Sequence, residues 1–325
     1  MDSEYPIKPL DFTGISTYPL DSRKSKVHVG MFGKAMDGSE NVLGFISKLP
    51  HILAGESLRN LFRAFLYARA SGKPMIWGLG GHVIKVGLSP IINDLMQSRF
   101  VTGIAMNGSA AIHDFEVALR GTTSEEVEEQ IGEGRFGMAR ETGEYMNAAV
   151  EQAVKNGIGL GEALGQFISE GEKKGIEFQN RPMSILAQAY ALKVPVTVHV
   201  AIGTDIIHAH PQTSGESLGE ASYRDFRLFC TMAKELNGGG VYLNVGSAVV
   251  LPEVFLKAVS IVRNLGHQLE EFTTANLDFI QHYRPTQNVL KRPTQHSGQS
   301  IALTGHHEIM IPLIAAALKG SIETG

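Results

Sequence analysis

From Asn41 onward, short apolar runs alternate with stretches whose apolar residues recur every three or four positions. "ESLRNLFRAFLYARASG" has helical spacing and "KPMIWGLGG" is apolar almost throughout; "LSPIINDLMQS" is helical again, "FVTGIAMNG" apolar, and "AAIHDFEVALRG" helical. A repeat of about 3.6 residues marks an amphipathic helix, whereas a short apolar run bounded by Gly or Pro marks a strand buried on both faces. Their alternation predicts βαβ units and a parallel sheet.

The alternation is broken once. An acidic helix, "TSEEVEEQIG", is followed by "ETGEYMNAAVEQAVKNG" and "GLGEALGQFISEGEKKG" with no strand signal between them, which predicts a helical insertion over residues 123–175. It resumes with "MSILAQAYALK", "VPVTVHVAIG", "EASYRDFRLFCTMAKELNG", "GGVYLNVG", "VLPEVFLKAVSIVRNLG" and "HQLEEFTTANLDF". A polar loop, "YRPTQNVLKRPTQHSGQS", and a helix, "HHEIMIPLIAAALKG", close the chain. Residues 1–40 mix Pro, Gly, Ser and Tyr without periodicity, so they read as an irregular extension with one short strand at "SKVHVGMF". No repeat or linker divides the chain. The fold class is therefore α/β: one domain over 1–325, with a doubly wound, mostly parallel, Rossmann-like sheet.

Composition adds exclusions. The 325 residues are 43% hydrophobic and 19% charged, enough for a sizeable core. With 29 basic against 33 acidic residues the net charge is −4, which removes the electrostatic case for nucleic acid or an anionic membrane. The single cysteine, Cys230, forbids an internal disulfide and suits a reducing compartment; it reads as a buried helix residue. The first residues lack the charged-then-apolar order of a signal peptide, and no apolar run reaches the ~18 residues of a membrane span. A soluble, cytoplasmic protein is expected, with a small-molecule substrate as partner.

In open parallel sheets, ligands sit beyond the carboxyl ends of the strands. Five stretches occupy such places: "GLGGHVIKVG", "NGSAA", "GTDIIHAHPQTSG", "NVGSAV" and "TTANLD". Their small residues would let a cofactor approach the backbone, and an emerging helix offers unpaired N–H groups to an anion. The G-x-G-x-x-G fingerprint is absent, since Gly78, Gly80 and Gly81 precede a gap to Gly87. Asp114 suits the positive end of its helix. His113 and Glu116, three apart, share a helix face and could touch a ligand. His208 and His210 would point to one side of an extended segment, a spacing that can hold a metal if Asp205, His113 or His307 joins them, though nothing fixes the third ligand. His306 and His307 follow a candidate helix cap at Thr304 and Gly305. Lys85 and Lys291 are candidates for a charge or imine role.

In order, these motifs resemble deoxyhypusine synthase and its relatives. "GGHVIKVG" with "LSPIINDLMQ" stands where the family has a strand-end loop and helix, and "NGSAAIHDFE" where it has Thr-Ala-Gly-Gly-Ile-Glu-Glu-Asp. Thr204 and Asp205 resemble its Thr-Asp, "DFRLF" its Asp-Ile-Arg helix, Gly238 to Val241 its Gly-Gly-Gly-Val, and "TTAN" its Asn-Thr-Ala. The likeness spans residues 74 to 293. It implies a tetrameric Rossmann-like fold binding NAD, with His82, Asn107, Gly108, Ser109, His113, Asp205, Gly239, Gly240 and Ala275 near the cofactor; Lys85 and Asp114 border the same loops. The chain departs from the family where chemistry is concentrated. The catalytic Trp-Gly-Lys is missing, with Lys291 near its place but shifted; "YLNV" replaces Lys-His-His, and no acidic polyamine-holding residues lie between Tyr283 and Ser300. The expectation is an NAD-dependent transferase or oxidoreductase acting on a small metabolite other than the family's own, with His208 or His210 moving a proton, Asp205 orienting it, and Lys291 or Arg284 holding substrate. Two alternatives stay open: a metal-assisted hydrolase or lyase built on His208 and His210, and a non-catalytic nucleotide-binding assembly protein.

Overall fold

The computed structural model describes residues 4–323. After 3₁₀ turns at Leu20–Ser22 and Val29–Met31 come α1 (Val42–Lys48) and α2 (Leu53–Ala70), then β1 (Met75–Leu79), α3 (Gly81–Lys85), α4 (Ser89–Gln97), β2 (Gly103–Asn107) and α5 (Gly108–Arg120). Four helices follow without a strand: α6 (Val127–Ile131), α7 (Arg140–Asn156), α8 (Leu160–Ser169) and α9 (Ile185–Leu192). The chain continues with β3 (Val196–His199), α10 (Gly215–Lys234), β4 (Val241–Val245), α11 (Val250–Asn264), β5 (Thr273–Asp278), a π-helical segment (Pro285–Lys291), β6 (Gln299–Thr304) and α12 (His307–Glu323).

The six strands form one sheet in the order β3-β2-β1-β4-β5-β6, and every neighbouring pair is parallel. The architecture is thus the doubly wound α/β class expected from the alternation. Helices cover both faces, which is why the inner strands are so uniformly apolar: all five residues of β1 and of β4 are buried. Trp77, Phe65, Phe100 and Phe115 fill one face; Phe229, Phe255, Phe272 and Tyr242 fill the other, with the Tyr242 and Phe255 rings stacked at 3.9 Å. A polar exception lies inside the sheet, where the Asn244 amide donates to Asn276 Oδ1 at 2.7 Å and to the Ser247 carbonyl at 2.9 Å while its Oδ1 has no partner.

Two local expectations are corrected. "SKVHVGMF" is not a strand; the sheet already ends at β3 and β6, and this stretch turns at Val29–Met31, where the Met31 carbonyl accepts from His51 N. The polar loop before the last helix contains the π-helical segment and the first residues of β6. As an edge strand β6 alternates exposed and buried residues, so its sequence carries polar residues that resemble a loop. Within the helical stretch, α8 packs on β3 and α9, and a Cβ on Gly161 would lie 2.2 Å from the Val196 carbonyl oxygen. Cys230 is half-buried on α10. Among the described residues, no helix is long and apolar enough to cross a membrane.

The strand order reverses between β1 and β4. At that switch point Gly80 N donates to the Val245 carbonyl at 2.9 Å, and a Cβ on Gly80 would lie 2.0 Å from the Gly246 carbonyl oxygen. The two loops touch backbone to backbone, and only glycine allows it.

Candidate active site at the carboxyl rim

Three loops converge where β1, β2 and β3 end. Asn107 caps α5, its Oδ1 accepting from Ala110 N at 2.9 Å. A Cβ on Gly81 would meet Ser109 Oγ at 2.3 Å, and one on Gly108 would meet Asp205 Oδ2 at 2.0 Å. The small residues at this junction therefore let one loop lie directly against the next. Together they wall a cavity of about 200 Å³ whose polar lining includes Lys85, Ser109, His113, Glu116, Glu125 and Asp205. A second cavity of about 310 Å³ adjoins it, sharing Glu116, Ser124 and Glu125.

Asp205 sits at the mouth of a short 3₁₀ turn, Ile206–Ala209, in a reciprocal cap with His208. His208 Nδ1 accepts from Gly203 N at 3.1 Å and Asp205 N at 3.3 Å, so its hydrogen is on Nε2. That Nε2 is buried, lacks a partner, and lies 3.9 Å from Asp205 Oδ2. Burial pushes the Asp205 carboxyl up to about 6. Because this acid lies against the amino end of α5, that helix end already faces an anionic group.

His113 projects from α5 toward the same space. Its Nδ1 is 2.7 Å from Thr123 Oγ1; Thr123 in turn donates to Glu116 Oε2, and Thr142 donates to Glu116 Oε1 at 3.0 Å. Burial first, and the Lys85 ammonium second, lower the His113 pKa to about 4. Burial raises Glu116, with Glu125 adding to the effect. The cavity thus offers a neutral imidazole, a primary ammonium and carboxyls that hold protons more tightly than free ones.

Beside the switch point the His82 ring lies 5.5 Å from Phe279 and 5.2 Å from His307, and His306 stacks on Phe279 at 6.4 Å. His307 Nε2 lies 3.2 Å from the Leu277 carbonyl oxygen while its Nδ1 is buried without a partner. Phe279 and Ile280 are exposed here, giving the rim a flat apolar wall.

Lys85, Ser109, His113 and Asp205 therefore meet around one cavity, with Gly108 packed against Asp205, Asn107 capping its helix and His82 at the adjoining switch point. Other candidates lie elsewhere. Asp114 is fully buried and turned away: it accepts from Ser184 Oγ at 2.6 Å, Ile185 N at 2.7 Å and Leu186 N at 3.1 Å, capping α9 rather than its own helix. Gly239 and Gly240 immediately precede β4, so they lie at the amino edge, where a Cβ on Gly239 would strike Tyr67. Ala275 is a buried position inside β5, paired with Leu243 and Ile301. Lys291 is exposed near the amino edge: two residues on, the Pro293 carbonyl accepts from Arg263 at 2.8 Å, beside the Leu269 carbonyl that precedes β5. His208 and His210 do not form a pair, because the turn separates them. His210 Nε2 lies 2.8 Å from the Gly137 carbonyl oxygen, with its ring against Gly143 of α7. Among the described residues, no group of three His, Cys, Asp or Glu is placed to hold a metal ion. Thr123, Glu125 and Phe279 escaped the sequence reading. The polar run "GTTSEE" directly after the α5 stop signal at Gly121 was the available clue to the first two.

No protein-family model matches the chain, and no curated protein sequence matches it. Solved structures do. The ternary complex of AgrE with ornithine and NAD⁺ superposes with a TM-score of 0.53 at 13% identity, covering 82% of this chain and 33% of the AgrE chain. A candidate LOR/SDH protein from Methanococcus maripaludis S2 gives 0.48 at 15% identity over 88% of this chain and 72% of that one. A candidate deoxyhypusine synthase from Entamoeba histolytica gives 0.47 at 10% identity, covering 88% and 95%. This chain spans about a third of the AgrE and ArgZ chains among these matches. The likeness to AgrE is one of fold.

Proposed function

We propose that the chain is an NAD-dependent enzyme that binds the dinucleotide along the carboxyl rim and acts on a small metabolite in the adjoining cavity. The observation that carries this reading is the convergence of the β1, β2 and β3 loops, with titratable side chains, on one cavity beside the switch point of a doubly wound sheet. AgrE, which shares the fold, has been solved with ornithine and NAD⁺, and this supports the choice of cofactor. The residues fit such a group. His82, His306 and Phe279 offer flat faces to a planar ring, and Asp205 offers an acceptor to a sugar hydroxyl. Because Asp205 occupies the amino end of α5, the phosphates belong nearer Gly246 and the start of α11.

When bound, the nicotinamide supplies hydride exchange. The chain's own groups orient the substrate and move its proton: Lys85 attracts an anionic or polarised oxygen, Asp205 and His113 take hydrogen bonds, and Phe279 and Ile280 shield the rim from water. The absence of Trp-Gly-Lys argues for a substrate other than a polyamine donor, and the resemblance implies a tetramer. Calorimetric titration with NAD⁺ and with NADP⁺ tests the reading. Saturable binding of one of them, weakened by Asp205→Ala, supports it; no binding of either overturns it.

A further inference from the structure

The sequence pointed to His208 and His210 as movers of protons, yet both have their rings committed to backbone partners. Neither lines the cavity, whereas His113 does. Its Nδ1 is engaged by Thr123, whereas its Nε2 has no protein partner and is not among the sealed polar atoms, and the side chain keeps 13% of its surface. We infer that His113 is the proton acceptor of this cavity, that it acts at Nε2 on a hydroxyl-bearing ligand, and that Thr123 and Glu116 position it.

The hydrogen-bond inventory carries the assignment. An ionised carboxylate only accepts, so the Thr123 hydroxyl hydrogen goes to Glu116 and Thr123 Oγ1 has only lone pairs left for His113. His113 must then carry its hydrogen on Nδ1, leaving the Nε2 lone pair toward the cavity. Thr142, from α7, fixes the second oxygen of Glu116. The result is a chain from carboxylate through hydroxyl to imidazole, drawn from α5, the loop after it and α7. Its logic is that of a base oriented by a buried acid, with a hydroxyl interposed.

The groups facing the ring are Lys85 of α3, Glu116 of its own helix, Glu125 of the following loop, and Asp205 beyond β3. Burial first, and Lys85 second, keep the ring neutral before ligand arrives. When a ligand hydroxyl is in place, its O–H bond breaks, the electron pair stays on oxygen beside the Lys85 ammonium, and the proton forms an N–H bond at Nε2. The Nδ1–H remains, held by Thr123, and Glu116 offsets the new imidazolium charge. The transfer goes forward only as a bonding step takes up the oxygen's electron pair, whereas the hydrogen-bond chain that poises Nε2 needs no dinucleotide, so that arrangement stands or falls separately from the cofactor assignment.

Two measurements on the full chain test it. In ¹⁵N-edited NMR, with the His113→Gln variant used for assignment, the His113 ring should be neutral, in the Nδ1–H tautomer, and unprotonated down to pH 5. Thr123→Val should release the tautomer and Thr123→Ser should restore it; should Thr123→Val fail to fold, Glu116→Gln serves as the second variant. Glycerol, as a hydroxyl probe, should move the Nε2 resonance in the wild type, whereas acetate should leave it unmoved. Diethyl pyrocarbonate, which acylates unprotonated imidazole nitrogen, should modify His113 about equally fast at pH 7.5 and 5.5, whereas an ordinary histidine slows roughly tenfold over that interval. An Nε2–H tautomer, a ring unaffected by both positioning variants, a response to acetate instead of glycerol, or no acylation at His113 would each overturn the assignment.

Discussion

Replacing Asp114 with alanine is expected to weaken the fold severely without touching the rim. The carboxylate lies at zero exposure on α5 and receives three donors from the start of α9: Ser184 Oγ, Ile185 N and Leu186 N. The truncation leaves all three facing a cavity, and each stranded buried donor costs about 1–3 kcal/mol. Part of the loss is returned, because the carboxylate is itself strained by burial, which holds its pKa up at about 6. The net expectation is a loss of about 3–5 kcal/mol, the range typical of breaking a buried charged network. Denaturant unfolding reads it as a lower midpoint at constant m-value. At about 2 °C per kcal/mol for a chain of this size, the melting temperature should fall by roughly 6–10 °C. Asp114→Asn, which keeps one acceptor, should lose less than half as much. A loss below about 1 kcal/mol for the alanine variant, or weakened NAD⁺ binding at unchanged stability, would refute the capping role and return Asp114 to the site.

Two further variants probe the core and the far edge. Asp225, buried on α10, accepts from Val198 N at 2.7 Å and Gly161 N at 2.8 Å, yet burial pushes its pKa from 3.8 to about 7. The folded protein therefore keeps a proton that the unfolded chain releases near pH 4, so this group lowers stability as pH rises from about 4 to about 7 and has a constant effect above that. Unfolding measured across that interval should show a slope worth up to about 4 kcal/mol that Asp225→Asn removes; identical slopes in the two proteins would show Asp225 ionised throughout. Lys291→Met should leave the affinity for NAD⁺ within twofold of wild type, since the residue lies toward the amino edge; a tenfold loss would place it at the rim.

The fold was legible because β1 to β4 are buried almost throughout, and such strands write themselves as mostly apolar runs; β5, buried as well, is Thr-Thr-Ala-Asn-Leu-Asp and was placed by its position in the alternation. β6 was not, because an edge strand with one solvated face carries the composition of a loop. The junction at Asn107, Gly108 and Ser109 was legible for the same local reason: a cap and two small residues at a strand end have few other uses. What sequence could not supply was direction. Asp114 and His113 are adjacent in the chain, yet one turns into the core to cap α9 and the other faces the cavity, a difference of 100° on a helix that no pattern of residue types distinguishes. His208 and His210 would align on an extended strand and diverge on the 3₁₀ turn that forms. Gly239 and Gly240 matched a family motif in order, but the motif begins β4, and its glycines lie at the edge of the sheet away from the ligand rim.

The chain's single tryptophan offers the most direct test of a dinucleotide at the rim. Trp77 is fully buried in β1, its Nε1 donating to the Phe100 carbonyl at 3.2 Å, and Gly80 lies three residues further along, about 10 Å away at the rise of a strand. NADH bound at the rim should quench Trp77 emission and show sensitised emission of its own, saturably and reversibly on addition of NAD⁺. Trp77 emission that stays unchanged as NADH is raised, once absorption by the free nucleotide is subtracted, would contradict a dinucleotide site at the carboxyl ends of these strands.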